Sequence, residues 1–167
     1  PAACIVGEPT HLEVVRAHKG KLSYRCHVRG FECHSSLAPR GVNSVEYAAA
    51  MIAHLTATGR NFAAHGPFDR EFDIPHTTVH VGTIQGGTAL NIVPKDCRFD
   101  FEFRHLPAVD PQTMLGEVQG FAARELVPHM QALRADTGVR WEFLSSFPGA
   151  ETDAGADVVS LAKRATG

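Results

Sequence analysis

Apolar residues recur along this chain with two different spacings, and each spacing predicts a different kind of element. Strands are predicted where apolar and polar residues alternate, as they do in a strand with one buried face. The clearest case is residues 97–103, where a cysteine and three phenylalanines alternate with charged side chains. Weaker patterns of the same kind predict strands at residues 22–28, 77–84 and 139–144.

Two further apolar runs precede these strands. Residues 4–6 predict a short buried strand that ends in a Gly-Glu-Pro-Thr loop and presents the carboxylate of Glu8. Residues 14–18 predict a second strand, which ends where Lys19 and Gly20 turn the chain.

A first helix is predicted where apolar residues recur every three or four positions. Asn43 and Glu46 have the spacing of a capping box, and the apolar residues that follow share one face, so we predict a helix over residues 43–58. The preceding segment, residues 31–42, has the Ser, Pro and Gly content of a loop.

A second helix is predicted over residues 111–127. It begins after Asp110, an N-cap acceptor followed by proline, and Pro128 is expected to kink or end it. Another helix is predicted over residues 157–165. The order of the central elements is strand, helix, strand, strand, helix, strand. This order indicates an α+β fold, a ferredoxin-like split βαβ sandwich with a four-stranded antiparallel sheet and two helices on one face.

Composition limits the class of protein. The 167 residues are 44 % hydrophobic and 20 % charged, which fits one domain with a core and some fringe. The net charge is −2, and lysine and arginine occur at most in pairs, which argues against nucleic acid and against a membrane surface as partners. No apolar stretch reaches the roughly 20 residues of a membrane span. The four cysteines form no Cys-x-x-Cys pair, so we expect reduced thiols and a cytoplasmic protein.

Four residues are candidates for chemistry, although the chain has no His-Glu-x-x-His, Gly-x-Ser-x-Gly or P-loop motif. Glu8 follows a predicted strand, where a carboxylate can ligate a cation, and His34 lies in a serine-containing loop where it can donate a proton. Asn91 ends a Gly-Gly loop with an amide that both donates and accepts. Arg104 ends a strand with a guanidinium that suits a carboxylate. Taken singly, each is better explained as an ordinary surface or turn residue.

Five strings of residues, taken together and in order, resemble the acetylornithine deacetylase family. Each is modest alone, and together they extend the resemblance from about residue 3 to residue 110 and weakly to the end of the chain. They are Val6-Gly7-Glu8-Pro9-Thr10, Arg16-Ala17-His18-Lys19-Gly20, His34-Ser35-Ser36 with Pro39-Arg40-Gly41-Val42-Asn43, Gly86-Gly87-x-Ala89-x-Asn91-x-Val93-Pro94, and Phe103-Arg104-His105-Leu106-Pro107. Desuccinylases, aminoacylases and carboxypeptidases of the same superfamily share the Gly-Glu-Pro and Asn-x-x-Pro patterns but resemble this chain less in the second and third strings.

The resemblance implies a two-domain subunit in which an α/β zinc-peptidase-like catalytic domain is interrupted by an inserted lid that dimerises. Residues 1–17 would then end the first half of the catalytic domain, residues 18–150 would be the lid and dimerisation domain, and residues 151–167 would start the second half. The lid of that family is a split βαβ sandwich, which agrees with the order of elements in this sequence. The catalytic domain of the family holds two zinc or cobalt ions.

The resemblance also implies roles for the four candidates. Glu8 matches a metal-ligating carboxylate, and His34 matches the lid histidine that reaches across the dimer to stabilise the oxyanion of a tetrahedral intermediate. Asn91 and Arg104 match lid residues that hold the substrate, Arg104 through its α-carboxylate. The sequence lacks the family's other metal ligands and its general base, namely a His-x-Asp motif, a Glu-Glu pair and a terminal histidine. We therefore expect them outside these residues and expect this chain to be inactive alone.

These expectations favour one function over two alternatives. The chain is expected to be the lid of a homodimeric, cytoplasmic metallo-amidohydrolase that removes the acetyl group from N-acetylornithine, an N-acylated amino acid, in arginine biosynthesis. The first alternative is the lid of a related desuccinylase, aminoacylase or carboxypeptidase. The second is a stand-alone ferredoxin-like binding or oligomerisation module, against which the Gly-Glu-Pro strand at the start and the interrupted helix at the end both argue.

Overall fold

In the computed structural model, which describes residues 3–166, the alternating stretches form a four-stranded antiparallel sheet. The strands of the chain are β1 (Ala17–His18), β2 (Gly20–Arg29), β3 (Thr78–Gly86), β4 (Asp96–His105), β5 (Gly138–Phe147) and β6 (Ala150–Glu151). The order within the sheet is β3-β4-β2-β5, so β4 and β2 are the central strands. A separate ribbon pairs β1 with β6.

Helices cover one face of this sheet. The helices of the chain are α1 (Ser44–His65), α2 (Pro111–Phe121), α3 (Val127–Leu133) and α4 (Asp157–Thr166). α1 packs on β3, β4 and β2, α3 packs on β5, and α2 shares the same core. A π-helical segment, Ala122–Leu126, joins α2 to α3. Within residues 3–166, no helix is long and apolar enough to cross a membrane.

The core lies between the covered face of the sheet and the helices. Burial alternates along β4, where Phe99, Phe101 and Phe103 are at most 2 % exposed and the residues between them face away from the helices. Met51 and Leu55 of α1, which have no exposed surface, belong to the same core. Removing apolar surface from water, at about 25 cal/mol per Å², is the main force that holds the helices on the sheet. The predicted α+β class, with a four-stranded antiparallel sheet and helices on one face, is confirmed.

The uncovered face of the sheet is charged, and its charges pair between neighbouring strands. Arg25 of β2 donates two hydrogen bonds to Asp100 of β4, at 2.7 and 2.9 Å. His27 and Glu142 of β5 are hydrogen-bonded at 2.6 Å. The hydrogen bond from Arg25 lowers the pKa of Asp100, so this carboxylate stays ionised at neutral pH. This face is therefore suited to water or to polar ligands.

Both predicted helix caps are confirmed. The Oδ1 of Asn43 accepts hydrogen bonds from the N–H groups of Val45 and Glu46. The Nδ2 of Asn43 also donates to the Oε1 of Glu46 at 2.9 Å, so the two side chains fix each other. At the start of α2, the Oδ1 of Asp110 accepts from the N–H of Gln112 at 3.0 Å.

The helix ends and one loop differ from the prediction. α1 continues past residue 58 to His65 and stops at Gly66, whose φ of 74° suits glycine. Pro128 does not end the second helix: the chain stays helical from α2 through the π-helical segment, which precedes Pro128, into α3. The predicted loop at residues 31–42 contains a 3-10 helix, Ser35–Arg40.

The buried strand predicted at residues 4–6 is wrong. Residues 3–8 have no regular secondary structure, and Ile5 and Val6 are 59 % and 72 % exposed. A short apolar run forms a buried strand only beside a partner strand, and within residues 3–166 no strand pairs with it. Of the strand predicted at residues 14–18, only Ala17 and His18 are in a strand, β1.

The ribbon of β1 and β6 pairs the segment that precedes the sandwich with the segment that follows it. Ala17 pairs with Glu151, so the segment that precedes β2 and the segment that follows β5 run side by side. Arg16 donates to the carboxylate of Glu71 and to the carbonyl of Thr152, which lies 3.2 Å away. The chain therefore enters and leaves the sandwich at one corner, next to the end of β4.

Replacing Leu22 by alanine is expected to destabilise the protein by roughly 2–5 kcal/mol, because Leu22 is fully buried in the core and its loss leaves a cavity. The matched control is Leu90→Ala, whose side chain is 103 % exposed in a loop and whose loss is expected to change stability by less than about 0.5 kcal/mol. Urea unfolding followed by circular dichroism measures both changes. Equal losses in the two variants would contradict this core.

Candidate functional site

His34 caps the 3-10 helix Ser35–Arg40 and is exposed. Its Nδ1 accepts a hydrogen bond from the N–H of Ser36 at 3.2 Å and lies 2.8 Å from the Oγ of the same residue. Because a backbone N–H can only donate, Nδ1 is an acceptor, and the neutral imidazole carries its proton on Nε2. Nε2 makes no hydrogen bond to the residues that the structure describes. His34 therefore presents one N–H donor to its surroundings.

Asn91 lies directly beside His34. The N–H of Ser35 donates to the carbonyl of Asn91 at 2.9 Å. One residue further along, Ile92 forms a β-bridge with His34. The side chains of Asn91 and His34 are both exposed. Two paired backbone segments thus place Asn91 and His34 next to each other at one end of the sheet.

Two glycines shape the loop that carries Asn91. Gly87 has a φ of 80°, in the left-handed region that favours glycine. Gly86 passes close to the start of β4, because a Cβ at this position would lie 2.7 Å from the Sγ of Cys97. The Gly-Gly pair therefore lets the chain leave β3 in a turn that a larger residue would strain.

Arg104 lies on the uncovered face of β4, near the opposite end of the sheet. Its Nε donates to the Oε1 of Glu102 at 2.8 Å, and its side chain is 43 % exposed. Burial raises the pKa of Glu102, but the hydrogen bond and charge of Arg104 and the charge of Lys21 outweigh burial and lower this pKa overall. Glu102 is therefore an ionised partner that engages one edge of the guanidinium.

The length of β4 keeps these groups apart within one chain. His34 and Asn91 lie at the end where β4 begins, because Gly30, which precedes the His34 segment, donates from its N–H to the carbonyl of Lys95 at 2.6 Å. Arg104 lies eight residues beyond the first residue of β4, which is about 26 Å at roughly 3.3 Å per residue. The structure thus brings His34 and Asn91 together and does not bring Arg104 to them.

Glu8 is exposed in the segment without regular structure. Within residues 3–166, no three side chains of histidine, cysteine, aspartate or glutamate lie close enough together to hold a metal ion. The described residues therefore do not by themselves fit the two zinc or cobalt ions that the sequence resemblance implies. The role of Glu8 as a metal ligand stays a prediction.

Burial keeps the two core cysteines from being activated thiols. All four cysteines are free, and Cys26 and Cys97 are buried in the core. Burial, with a smaller contribution from Cys97, raises the pKa of Cys26 to about 12, so this thiol stays protonated.

Sequence reasoning missed three residues that support the candidates: Ser36, which fixes the ring of His34, Glu102, which holds Arg104, and Phe147, whose ring centre lies 5.7 Å from the Cζ of Arg104. Glu102 carried a usable signal, because it precedes Arg104 by two positions and therefore shares its face of the strand. Phe147 comes from β5, and no local pattern connects it with Arg104.

Known proteins resemble this chain in sequence and in structure. The sequence model of the peptidase dimerisation domain matches residues 16–130. An acetylornithine deacetylase from Myxococcus xanthus is 36 % identical over 166 residues, which are 98 % of this chain and 41 % of the relative. An acetylornithine deacetylase from Edwardsiella ictaluri is 40 % identical over 109 residues, which are 65 % of this chain and 28 % of the relative. The crystal structure of the aminopeptidase PepT from Bacillus cereus matches 90 % of this chain and 36 % of its own with a TM-score of 0.61 and 26 % identity.

The coverage of these matches is uneven. This chain spans 28 % and 41 % of the length of the two deacetylases, so it corresponds to a part of them. The family model, by contrast, covers most of the chain, from Arg16 to Met130. The chain therefore belongs to the peptidase dimerisation domain family.

Proposed function

We propose that this chain is the lid and dimerisation domain of a metal-dependent amidohydrolase that removes the acetyl group from N-acetylornithine. The observation that carries the proposal is the exposed pair of His34 and Asn91, which backbone hydrogen bonds hold in place. Within residues 3–166 no metal-binding cluster accompanies this pair, so it is suited to complete a site on another surface. The names of the matching relatives supply the substrate. Arginine biosynthesis and a cytoplasmic location are parts of the same proposal.

The proposed enzyme has its catalytic domain on both sides of the lid. Residues 18–150 would form the lid, and residues 1–17 and 151–167 would belong to the catalytic domain. Residues 1, 2 and 167 of these ranges lie outside the described part of the chain. Two zinc or cobalt ions in that domain would polarise the acyl carbonyl and activate a water molecule. Glu8 would be the single metal ligand from this chain, which is therefore expected to be inactive alone.

His34 would contact the reacting atoms. The Nε2–H of His34 can donate to the oxyanion that forms when water adds to the acyl carbonyl. The hydrogen bonds from Ser36 to Nδ1 already fix the tautomer and the ring, so little reorganisation is needed when that charge develops. The amide of Asn91, held beside it, can bind polar atoms of the same substrate.

The separation within one lid implies that two subunits share each active site. An amino-acid substrate is much shorter than the roughly 26 Å between the Arg104 end and the His34 end of β4. Arg104 lies next to the ribbon of β1 and β6, where the first half of the proposed catalytic domain ends and its second half starts. We therefore assign Arg104 to the site of its own subunit, and His34 and Asn91 to the site of the partner.

A homodimer through the edge of β3 is part of the proposal. β3 contains no Asp, Glu, Lys or Arg, whereas β5, the other edge, carries Arg140 and Glu142. Charged residues discourage pairing at an edge, so β3 is the edge that is better suited to pair with a second copy. Ile84 on β3 is 55 % exposed, so this edge also offers an apolar side chain to a second copy.

The full-length enzyme, loaded with zinc or cobalt, is expected to hydrolyse N-acetylornithine with a higher kcat/KM than N-succinyl-diaminopimelate.

His34→Ala is expected to lower kcat by roughly 10²–10³, the usual effect of removing one oxyanion donor. His129→Ala is the matched control, because His129 is exposed on α3 and belongs to neither of the two segments that hold the pair. Steady-state kinetics with both substrates measure these values. Preference for the succinyl substrate would favour the desuccinylase alternative, and near-normal turnover of His34→Ala would contradict the role of His34.

Ile84→Lys is expected to weaken the dimer at least about tenfold, because a two-fold axis through paired β3 strands would bring two like charges together. Sedimentation velocity of the full-length enzyme over a concentration series measures the change. Phe143→Lys, at a side chain of β5 that is 56 % exposed, is the matched control and is expected to leave the dimer intact. A monomeric wild type, or dissociation by Phe143→Lys alone, would contradict this interface.

A further inference from the structure

The guanidinium of Arg104 is held along one edge and open along the other. Its Nε donates to the Oε1 of Glu102 at 2.8 Å. Among residues 3–166, neither of its terminal amino groups takes part in a hydrogen bond. The edge formed by these two groups can bind both oxygens of a carboxylate at once.

The side chains next to the guanidinium of Arg104 include the ring of Phe147 and the cation of Lys21. The ring centre of Phe147 lies 5.7 Å from the Cζ of Arg104, within the range of a cation–π contact. In the sheet, Lys21 is paired with Arg104 on one side and with Phe147 on the other, so three strands contribute to the same place. The side chain of Arg104 is therefore restrained before any ligand arrives.

Glu102 is itself held in one orientation. The Oγ of Ser23 donates to its Oε2 at 3.4 Å, and the Nζ of Lys21 lies 3.6 Å from the same oxygen. Both contacts fall on Oε2, which leaves Oε1 for Arg104. Glu102 does not cancel the positive charge of the cluster, because Lys21 and Arg104 supply two cations against one carboxylate. A net positive charge remains to attract an anion.

We propose that Glu102 is a positioning residue for substrate binding: it holds the Nε of Arg104 so that the two terminal amino groups face the α-carboxylate of the substrate. This assignment rests on the proposed function of Arg104. It adds a requirement that the function alone does not contain, namely that an acidic side chain two positions before Arg104 strengthens the binding of an anionic group.

The test compares Glu102→Ala and Glu102→Gln in the full-length, metal-loaded enzyme. Glu102→Ala is expected to raise KM about tenfold for an N-acetyl amino acid and to change kcat by less than about twofold, because binding is weakened equally in the ground state and the transition state. Glu102→Gln keeps an acceptor oxygen for Nε and is expected to recover most of the loss. With the α-carboxamide of the same substrate, Glu102→Ala and the wild type are expected to have the same KM.

Two further variants separate this proposal from the function on which it rests. Arg104→Ala is expected to raise KM by at least as much as Glu102→Ala, and adding Glu102→Ala to it is expected to change KM no further. Glu142→Ala is the matched control, because Glu142 pairs with His27 on the same face and not with Arg104. If Arg104→Ala leaves KM unchanged, the substrate role of Arg104 is wrong. If Arg104→Ala raises KM and Glu102→Ala does not, or if Glu102→Ala raises KM equally for the carboxamide, the positioning role of Glu102 is wrong.

Discussion

β4 lies inside a sheet with helices packed on one face, so each of its side chains points either into the core or away from it. The buried set, which includes Phe99 and Phe103, packs against the helices. The opposite set includes Glu102 and Arg104, on a face where charges pair between strands. Because the period of a strand is two, a slip of one residue in this pairing would place charges in the core and phenyl rings in water. Stability and the arrangement of the site therefore depend on the same register.

The length of the same strand determines what the domain can do. Arg104 lies near the end of β4 at the ribbon of β1 and β6, and the paired segments with His34 and Asn91 lie at the other end. A ligand the size of an amino acid cannot contact both ends of one such domain. The chain belongs to a peptidase dimerisation domain family, and in the proposed dimer one site can take one end from each subunit.

The fold was more predictable from the sequence than the site. Alternation over residues 97–103 and the two capping residues, Asn43 and Asp110, are local signals, and the structure contains the elements that they predict. The run at residues 4–6 failed because three apolar residues carry no information about whether a partner strand lies beside them. The predicted end of the second helix at residue 127 was wrong, because the chain stays helical through a π-helical segment and past Pro128 to Leu133.

The candidate residues came from motifs, but their arrangement depends on contacts between distant segments. The hydrogen bond between Ser35 and Asn91 joins loops that a helix and a strand separate in the sequence, so no local pattern predicts it. The contact of Arg104 with Glu102 follows from strand periodicity, whereas its contact with Phe147 requires the pairing of β2 with β5. The sequence could have predicted the contact within one strand, because it depends only on spacing. It could not have predicted the contact that depends on how separate strands pair.

The proposed sharing of one active site by two subunits is tested most directly by mixing variants of the full-length enzyme and assaying them at substrate concentrations far below KM, where His34→Ala and Arg104→Ala are each expected to lose most of their activity. Subunits with His34→Ala and subunits with Arg104→Ala, exchanged at random, are expected to recover about a quarter of wild-type activity, because half of the dimers are mixed and one of their two sites is intact. A mixture of His34→Ala with Asn91→Ala is expected to recover none, because both residues serve the same partner site. Absence of recovery in the first mixture, or equal recovery in both, would contradict the account.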